Sequence, residues 1–509
     1  MSPFLILGVL IGYFSLLFVI SYFTGKNSTH ADFFIGGKSS KWYVVAFGMI
    51  GASLSGVTFI SIPGKVGADG FSYMQMVLGY LLGYVVIAQV LLPLYYRLNL
   101  TSIYGYLERR YGVLAHKTGA AFFLISRVIG ASCRLFLVAM VLDAFVCQPL
   151  GIPFWLTSSL TILLIWVYSL KGGIKTIVWT DTLQTAFMLL ALVIAVFSIS
   201  SELNLSLGEM VTQIKDSSYS KTFFGDWGSS EHFLKMFLSG MFITITMTGL
   251  DQDMMQKNLS VKTLKDSQKN MYWMSLSLVP VNLLFLALGA LLFIYGIETG
   301  VISTHYKEVA NGTMDSPILA LQNGQMLSLT PDKLFPYLAI NHLGAFVGIV
   351  FIIGLVAAAY SSADSALTSL TTSFCIDFLG FQKKEYPART RYLVHVGFSV
   401  VLIVAILVIK ELSGQNKSLI DQLFTLAGYT YGPLLGLFAF GLMSKRITKD
   451  IAIPFMAIAC IILTYFSTGW LKSEFDFNIG HARLLLNGGL MFLGLWLFSL
   501  ANRPTKAHS

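Results

Sequence analysis

The sequence predicts an all-α polytopic membrane protein with about 13 transmembrane helices, and three observations predict it. The chain has 509 residues, is 55% hydrophobic and only 12% charged, whereas soluble domains carry roughly 25% charge. Its apolar runs approach or exceed the roughly 18–20 residues that a helix needs to cross a bilayer, unlike the ten-residue alternating segments of a membrane β-barrel. Charge falls between those runs. A cytosolic enzyme of this length would need a charged surface that is missing here.

Runs of spanning length lie near 3–23, 42–64, 72–96, 118–146, 153–170, 174–200, 233–250, 272–296, 337–376, 393–410, 419–442, 451–468 and 483–500. The 337–376 run is too long for one span and is expected to begin with a surface or re-entrant helix. Basic residues test this count, because cytoplasmic loops carry an excess of them. With the N-terminus outside, 22 of the 34 Lys and Arg fall on the cytoplasmic side and ten on the external side. The remaining two, Arg127 and Arg134, lie inside the fourth span. The net charge of +9 therefore marks topology and not a nucleic-acid surface. The N-terminus has no basic leader and no small-residue cleavage site, so it reads as a retained helix. Cys133, Cys147, Cys375 and Cys460 fall within or at the ends of apolar runs and read as small buried hydrophobes. The longest external loops, 201–232 and 297–335, are expected to carry short surface helices. A single domain spans 1–509, with no linker or soluble module.

Several residues do not belong in a bilayer. In the second span, Gly51–Ala52–Ser53–Leu54–Ser55–Gly56–Val57–Thr58 precedes Ser61–Ile62–Pro63–Gly64, a poor continuous helix. Transporters break helices so that freed carbonyls can coordinate a cation at mid-membrane; close small-residue packing would need the same composition. The ninth span carries Ser361, Ser362, Asp364 and Ser365 within one to two helical turns. Hydroxyls and a carboxylate there suit a hard monovalent cation, and the alternative is hydroxyls bonded back to their own helix. Asp181, about two turns inside the sixth span, requires a cation, an arginine or a backbone donor. Arg127 and Arg134 are seven residues apart and share a helix face. They could hold a substrate carboxylate or pair with Asp143, Asp181 or Asp364. The stretch Asp251–Gln252–Asp253 with Gln256, Lys257, Lys262, Lys265 and Lys269 reads as a solvated cytoplasmic loop.

Together these pieces resemble the sodium:solute symporter family. The resemblance rests on Gly51–Ala52–Ser53–Leu54, on Arg97–Leu98–Asn99–Leu100–Thr101–Ser102–Ile103–Tyr104 with Tyr106–Leu107–Glu108, on Gly172–Gly173 through Trp179–Thr180–Asp181–Thr182–Leu183–Gln184, and on Ala358–Ala359–Tyr360–Ser361–Ser362. It implies a leucine-transporter-like fold of two inverted five-helix repeats, 42–200 and 233–442, with 3–23 and 451–500 peripheral. It implies a principal sodium site of the Gly56, Phe59 and Ala358 carbonyls and the Ser361 and Ser362 hydroxyls. Some members hold a second sodium at the position of Asp181 and hydroxyls one turn along, where Asp364 and Ser365 stand. Sialic-acid members bind a carboxylate through an arginine of the fourth span.

The expected function is sodium-coupled symport of a small, carboxylate-bearing solute across the cell membrane. Sodium is the coupling ion, and no enzymatic step or organic cofactor is expected. The expected substrate contacts are Thr58, Ser61, Gln75, Arg127 and Arg134, with Arg127 favoured as the anchor. A monomer in the bilayer with its C-terminus cytoplasmic is expected. Sodium-coupled sugar or polyol transport and proton coupling through Asp181 or Asp364 are the alternatives.

Overall fold

The computed structural model describes residues 3–26, 33–34, 36–304, 318–322, 325–381, 387–412 and 418–501, without the side chains of 3, 170–172, 304, 321–322, 325–326, 388, 412 and 501. Lys171 (its side chain), Lys307, Lys383, Lys384, Lys417, Arg503 and Lys506 of the topology count lie outside the described residues. Helices dominate, because only a helix satisfies its own backbone groups in lipid. Helix α1 is Pro3–Gly25, α2 Trp42–Asp69, and α3 Tyr73–Val86, which continues through Ile87–Leu91 to Arg97. The short α4 (Gly105–Arg110) leads into α5 (Val113–Leu142), then α6 (Phe154–Gly172), α7 (Ile174–Glu202) and α8 (Leu207–Asp216).

The second half opens with α9 (Phe233–Thr244, continued to Gly249) and α10 (Gln252–Leu259), followed by α11 (Leu264–Glu298). After a three-stranded antiparallel sheet come α12 (Pro331–Asn341), α13 (Gly344–Ser373) and α14 (Ala388–Leu412). The described chain ends with α15 (Leu419–Thr430), α16 (Gly432–Met443), α17 (Ala452–Phe475) and α18 (Arg483–Ala501). Among the described residues, ten helices are long and apolar enough to cross a bilayer, two bent pairs reach that length together, and Phe154–Ser169 is a shorter apolar helix. These segments coincide with the expected runs. The 337–376 run does divide, into α12 and α13.

Two expectations fail. The described residues of 297–330 form strands Ile302–Thr304, Ile318–Gln322 and Gln325–Leu329 where a surface helix was expected; Ile318, Ala320 and Leu329 are buried, and their alternation was hidden because Leu319, Leu321 and Leu327 beside them are apolar too. Only the later part of the 251–270 stretch is solvated, with Lys262, Lys265 and Lys269 exposed. All eight residues of α10 are buried, Lys257 at 1% exposure, so a count based on loop charges misplaces Lys257.

The centre of the protein is α2, packed against α7, α11 and α13. It is two helices in one: Ser55 has φ 57° and ψ 168° in its middle, a conformation that costs a non-glycine residue energy and persists only where packing enforces it. Small residues supply that packing. A methyl group on Gly48 would sit 2.9 Å from Asp181 Cβ, and one on Gly56 3.1 Å from Ala359 Cβ. Small-residue packing and helix breaking, alternatives on sequence grounds, are therefore both present. The second half mirrors this, with α9 and α10 meeting at 63°.

Elsewhere, α3 and α9 cross where Gly79 faces the Phe237 carbonyl and Gly240 faces the Met76 carbonyl, each too close to admit a Cβ. Backbone cannot yield as a side-chain tip can, so Gly240→Val should lose most of the folded protein. Size-exclusion of detergent-solubilised protein checks this, and a monodisperse Gly240→Val peak of parental height would contradict it.

Candidate functional site

The break in α2 opens onto a cavity of about 730 Å3, mouth included, lined among others by Ser53, Ser55, Thr58, Tyr73, Tyr80, Tyr84, Arg127, Arg134, Thr244, Thr248 and Asn282. The half-helix that restarts at Gly56 begins at this cavity, and a helix start presents backbone N–H groups and positive dipole to an anion. Three of the five expected substrate residues line it: Thr58, Arg127 and Arg134. Two do not. Ser61 is fully buried one turn beyond Thr58, outside the lining. Gln75 is a backbone staple: its Nε2 donates to the Ser72 and Glu231 carbonyls (3.2 and 3.0 Å) and its Oε1 accepts from Phe224 N (3.2 Å). Its amide is spent there.

The two arginines, equivalent by spacing, have opposite fates. Arg127 is in direct contact with Asp253 Oδ2 and lies 3.8 Å from Asp251 Oδ2. Arg134, 7% exposed, forms no ion pair among the described residues, Asp251 acting on it only at longer range, and its Nε has no hydrogen-bond partner. This reverses the expectation that favoured Arg127 as the unpaired anchor. None of Asp143, Asp181 and Asp364, the acids expected to neutralise an arginine, forms an ion pair with either arginine among the described residues. The acids that do come from α10, whose burial the sequence concealed. Asp251 also caps that helix: its Oδ1 accepts from Asp253 N (2.9 Å) and Met254 N (3.3 Å), and its Oδ2 from the Tyr431 hydroxyl.

The residues of the expected sodium site sit where α2 meets α13. Gly56 packs on Ala359, one residue after Ala358. The Phe59 carbonyl faces position 63, four residues on, where a proline has no N–H to donate. It thus lacks its usual i+4 donor inside a buried helix. Ser361 Oγ donates to Asp181 Oδ1 (2.7 Å) and Ser362 Oγ to the Ala359 carbonyl (3.1 Å). Each hydroxyl has spent its one hydrogen and keeps its lone pairs. Free carbonyl and hydroxyl oxygens are the donor set a hard cation requires.

The groups expected at a second sodium have different partners. Asp181 Oδ2 is 2.7 Å from Lys257 Nζ, both residues 1% exposed. Asp364 Oδ2 accepts from the Tyr168 hydroxyl (3.0 Å) and, at 3.5 Å, from Thr180. Ser365 Oγ donates to the Ser361 carbonyl (3.0 Å) and Asp253 Oδ2 (3.3 Å). The partner of Asp181 is thus a lysine, which the sequence could have offered only if 251–259 had been recognised as buried. One signal was available: Asp253 and Lys257 are four apart, on one helix face.

Beside the cavity, sharing Tyr73, Ile420 and Phe424 with it, lies a polar cluster of Lys65, Asp69, Glu231, Asp421 and His481. Lys65 Nζ bridges Asp69 (2.9 Å) and Asp421 (2.8 Å). Burial, reinforced by Asp69 and opposed by Lys65, pushes the Glu231 carboxyl up to about 7. The folded state then holds that proton more tightly than the unfolded chain. Its contribution to stability falls as pH climbs from the ordinary glutamate value of 4.5 through about 7. Glu231→Gln should flatten this part of a thermal-stability profile against pH, and an unchanged profile would refute the assignment.

Comparison with known proteins identifies the fold and the family. A solved structure of a substrate-bound, outward-open Na+-coupled sialic acid symporter superposes with a TM-score of 0.79, at 20% identity, over 98% of both chains. The fold is the leucine-transporter-like one. The sodium/sialic acid symporter NanT of Aliivibrio fischeri is 23% identical over 470 residues, 90% of this chain and 85% of that one. Sodium-coupled monocarboxylate transporter 1 of Mus musculus is 24% identical over 429 residues, 82% of this chain and 65% of the relative. The sequence profile of the sodium:solute symporter family matches residues 33–458, and the chain belongs to that family.

Proposed function

We propose that this protein is a sodium-coupled secondary active symporter that imports a small carboxylate-bearing solute, bound in the cavity beside the α2 break. The observation that carries the reading is Arg134: a buried guanidinium facing that cavity that forms no ion pair among the described residues, while Arg127 forms two. A buried charge without a close counter-charge is costly, and an anionic ligand is its natural complement. The guanidinium fork matches a carboxylate bidentately. Thr58, Thr244, Thr248, Asn282 and three tyrosines around it favour a polyhydroxylated acid over a short alkyl one. The sialic acid printed in the name of NanT is of this kind.

Sodium would occupy the junction of α2 and α13, held by the Gly56, Phe59 and Ala358 carbonyls and the Ser361 and Ser362 hydroxyls. Its coupling follows from position, since the same α2 break supplies oxygens to the ion and a helix start to the substrate. The charge distribution of the loops favours an outside N-terminus and a cytoplasmic C-terminus, and the segments 42–200 and 233–442 act as inverted repeats, each opening on a broken helix. We assign function to the monomer, as the cavity and ion site lie within one chain.

The test is a thermal-shift panel on purified protein: N-acetylneuraminate, gluconate, lactate, glucose and myo-inositol, with and without sodium. Stabilisation by an acid that depends on sodium is expected; stabilisation by a neutral sugar or polyol alone would overturn the carboxylate assignment. For the ion, Ser361→Ala or Ser362→Ala should each raise the sodium concentration giving half-maximal stabilisation by about tenfold, the scale of one lost charge-assisted contact. Unchanged sodium dependence in both variants would remove this site.

A further inference from the structure

We propose that the Lys257 ammonium is a resident cation in the place where a second sodium would sit against Asp181, so that this carrier binds one sodium ion and not two. The proposal rests on the symporter reading above and deepens it. Lys257 Nζ lies 2.7 Å from Asp181 Oδ2, and both side chains are 1% exposed. Apart from that ion pair, Lys257 Nζ has no hydrogen-bond partner among the described residues. It therefore acts as a point charge aimed at one carboxylate, which is what a bound monovalent ion would be. The lysine is fixed there by α10, which is anchored at three further points. Asp253 holds Arg127 on the cavity side. Gln252 Nε2 donates to the Thr101 carbonyl (2.8 Å), and Gln256 Nε2 to Thr372 Oγ1 (2.9 Å).

Charge arithmetic leads to the same conclusion. Around the ion site stand three buried carboxylates, Asp181, Asp364 and Asp253, all at or below 1% exposure; Arg127 already neutralises Asp253, which leaves Asp181 and Asp364. Lys257 neutralises one of them, and the net single negative charge that remains matches one sodium. Without Lys257 the same pocket would carry two negative charges and call for two ions. The lysine is also connected to the principal site, because the Asp181 carboxylate it contacts accepts the proton of Ser361, one of the two hydroxyls assigned to sodium. The consequence for transport is that one sodium carried with one monocarboxylate moves no net charge.

The number of bound ions is readable without knowing the substrate. Above its dissociation constant, each ion that binds only the folded state adds one unit to the slope of stability, in units of RT, against ln[Na+]. Sodium chloride is titrated against choline chloride at constant ionic strength, with thermal unfolding of the full chain as readout. The parent should give a slope of one, and a parental slope of two overturns the proposal. Lys257→Met should raise the slope to two, as sodium enters beside the bared Asp181; a folded Lys257→Met protein with a slope of one also overturns it. Lys257→Met combined with Asp181→Asn removes both charges and should restore a slope of one; a slope of two there would place the second ion elsewhere and overturn the assignment to Asp181. If Lys257→Met does not fold, the parental slope and the double variant decide. A parent indifferent to sodium would overturn the sodium reading itself, and this proposal with it.

Discussion

Arg134→Ala should weaken binding of the transported acid by about 30-fold to several thousand-fold, while leaving the protein as stable as the parent or more so. The first figure is the loss of a desolvated charge pair, about 2–5 kcal/mol, at 1.4 kcal/mol per decade. The second follows from its surroundings: Arg134 is buried and forms no ion pair among the described residues, so deleting it removes a desolvated charge and breaks no ion pair. Arg134→Lys should recover little, because an ammonium cannot reproduce the planar fork. The check is a dissociation constant for the acid found in the ligand panel, set beside the melting temperature of the unliganded protein. Parental affinity in a folded Arg134→Ala protein would remove the carboxylate anchor from the account.

Arg127→Ala should do the opposite, acting first on stability. Arg127 faces two carboxylates of α10, both fully buried. Removing one partner of a buried ion pair costs about 3–5 kcal/mol, since the other charge is left unneutralised. Arg127→Met should therefore lower the melting temperature markedly, and Arg127→Met with Asp253→Asn should recover much of the loss. A double-mutant cycle measures the coupling. Additive losses would mean that the pair does not act as a unit. The two variants separate by which quantity moves, affinity for Arg134 and stability for Arg127, although the residues are seven apart on one helix face.

Composition and run length alone determined the membrane class, the positions of the spanning segments and the division of 337–376 into two helices, because hydropathy is a local property that the bilayer reads directly. The dense small residues of 51–64, with Pro63 among them, likewise marked α2 as the special helix. Tertiary structure alone decided the pairing of charges. Asp251, Asp253 and Lys257 sit in a segment of ordinary loop composition, and nothing local distinguishes a solvated charge from one buried against a complementary charge elsewhere in the chain. Arg127 and Arg134 are likewise indistinguishable until α10 folds beneath one of them and not the other. Coulomb attraction in a low-dielectric interior depends on distance in space. The partners here are separated by 126 residues for Arg127 with Asp253 and 76 for Asp181 with Lys257, so only the assembled helices could show which cation was already matched and which was left for a ligand.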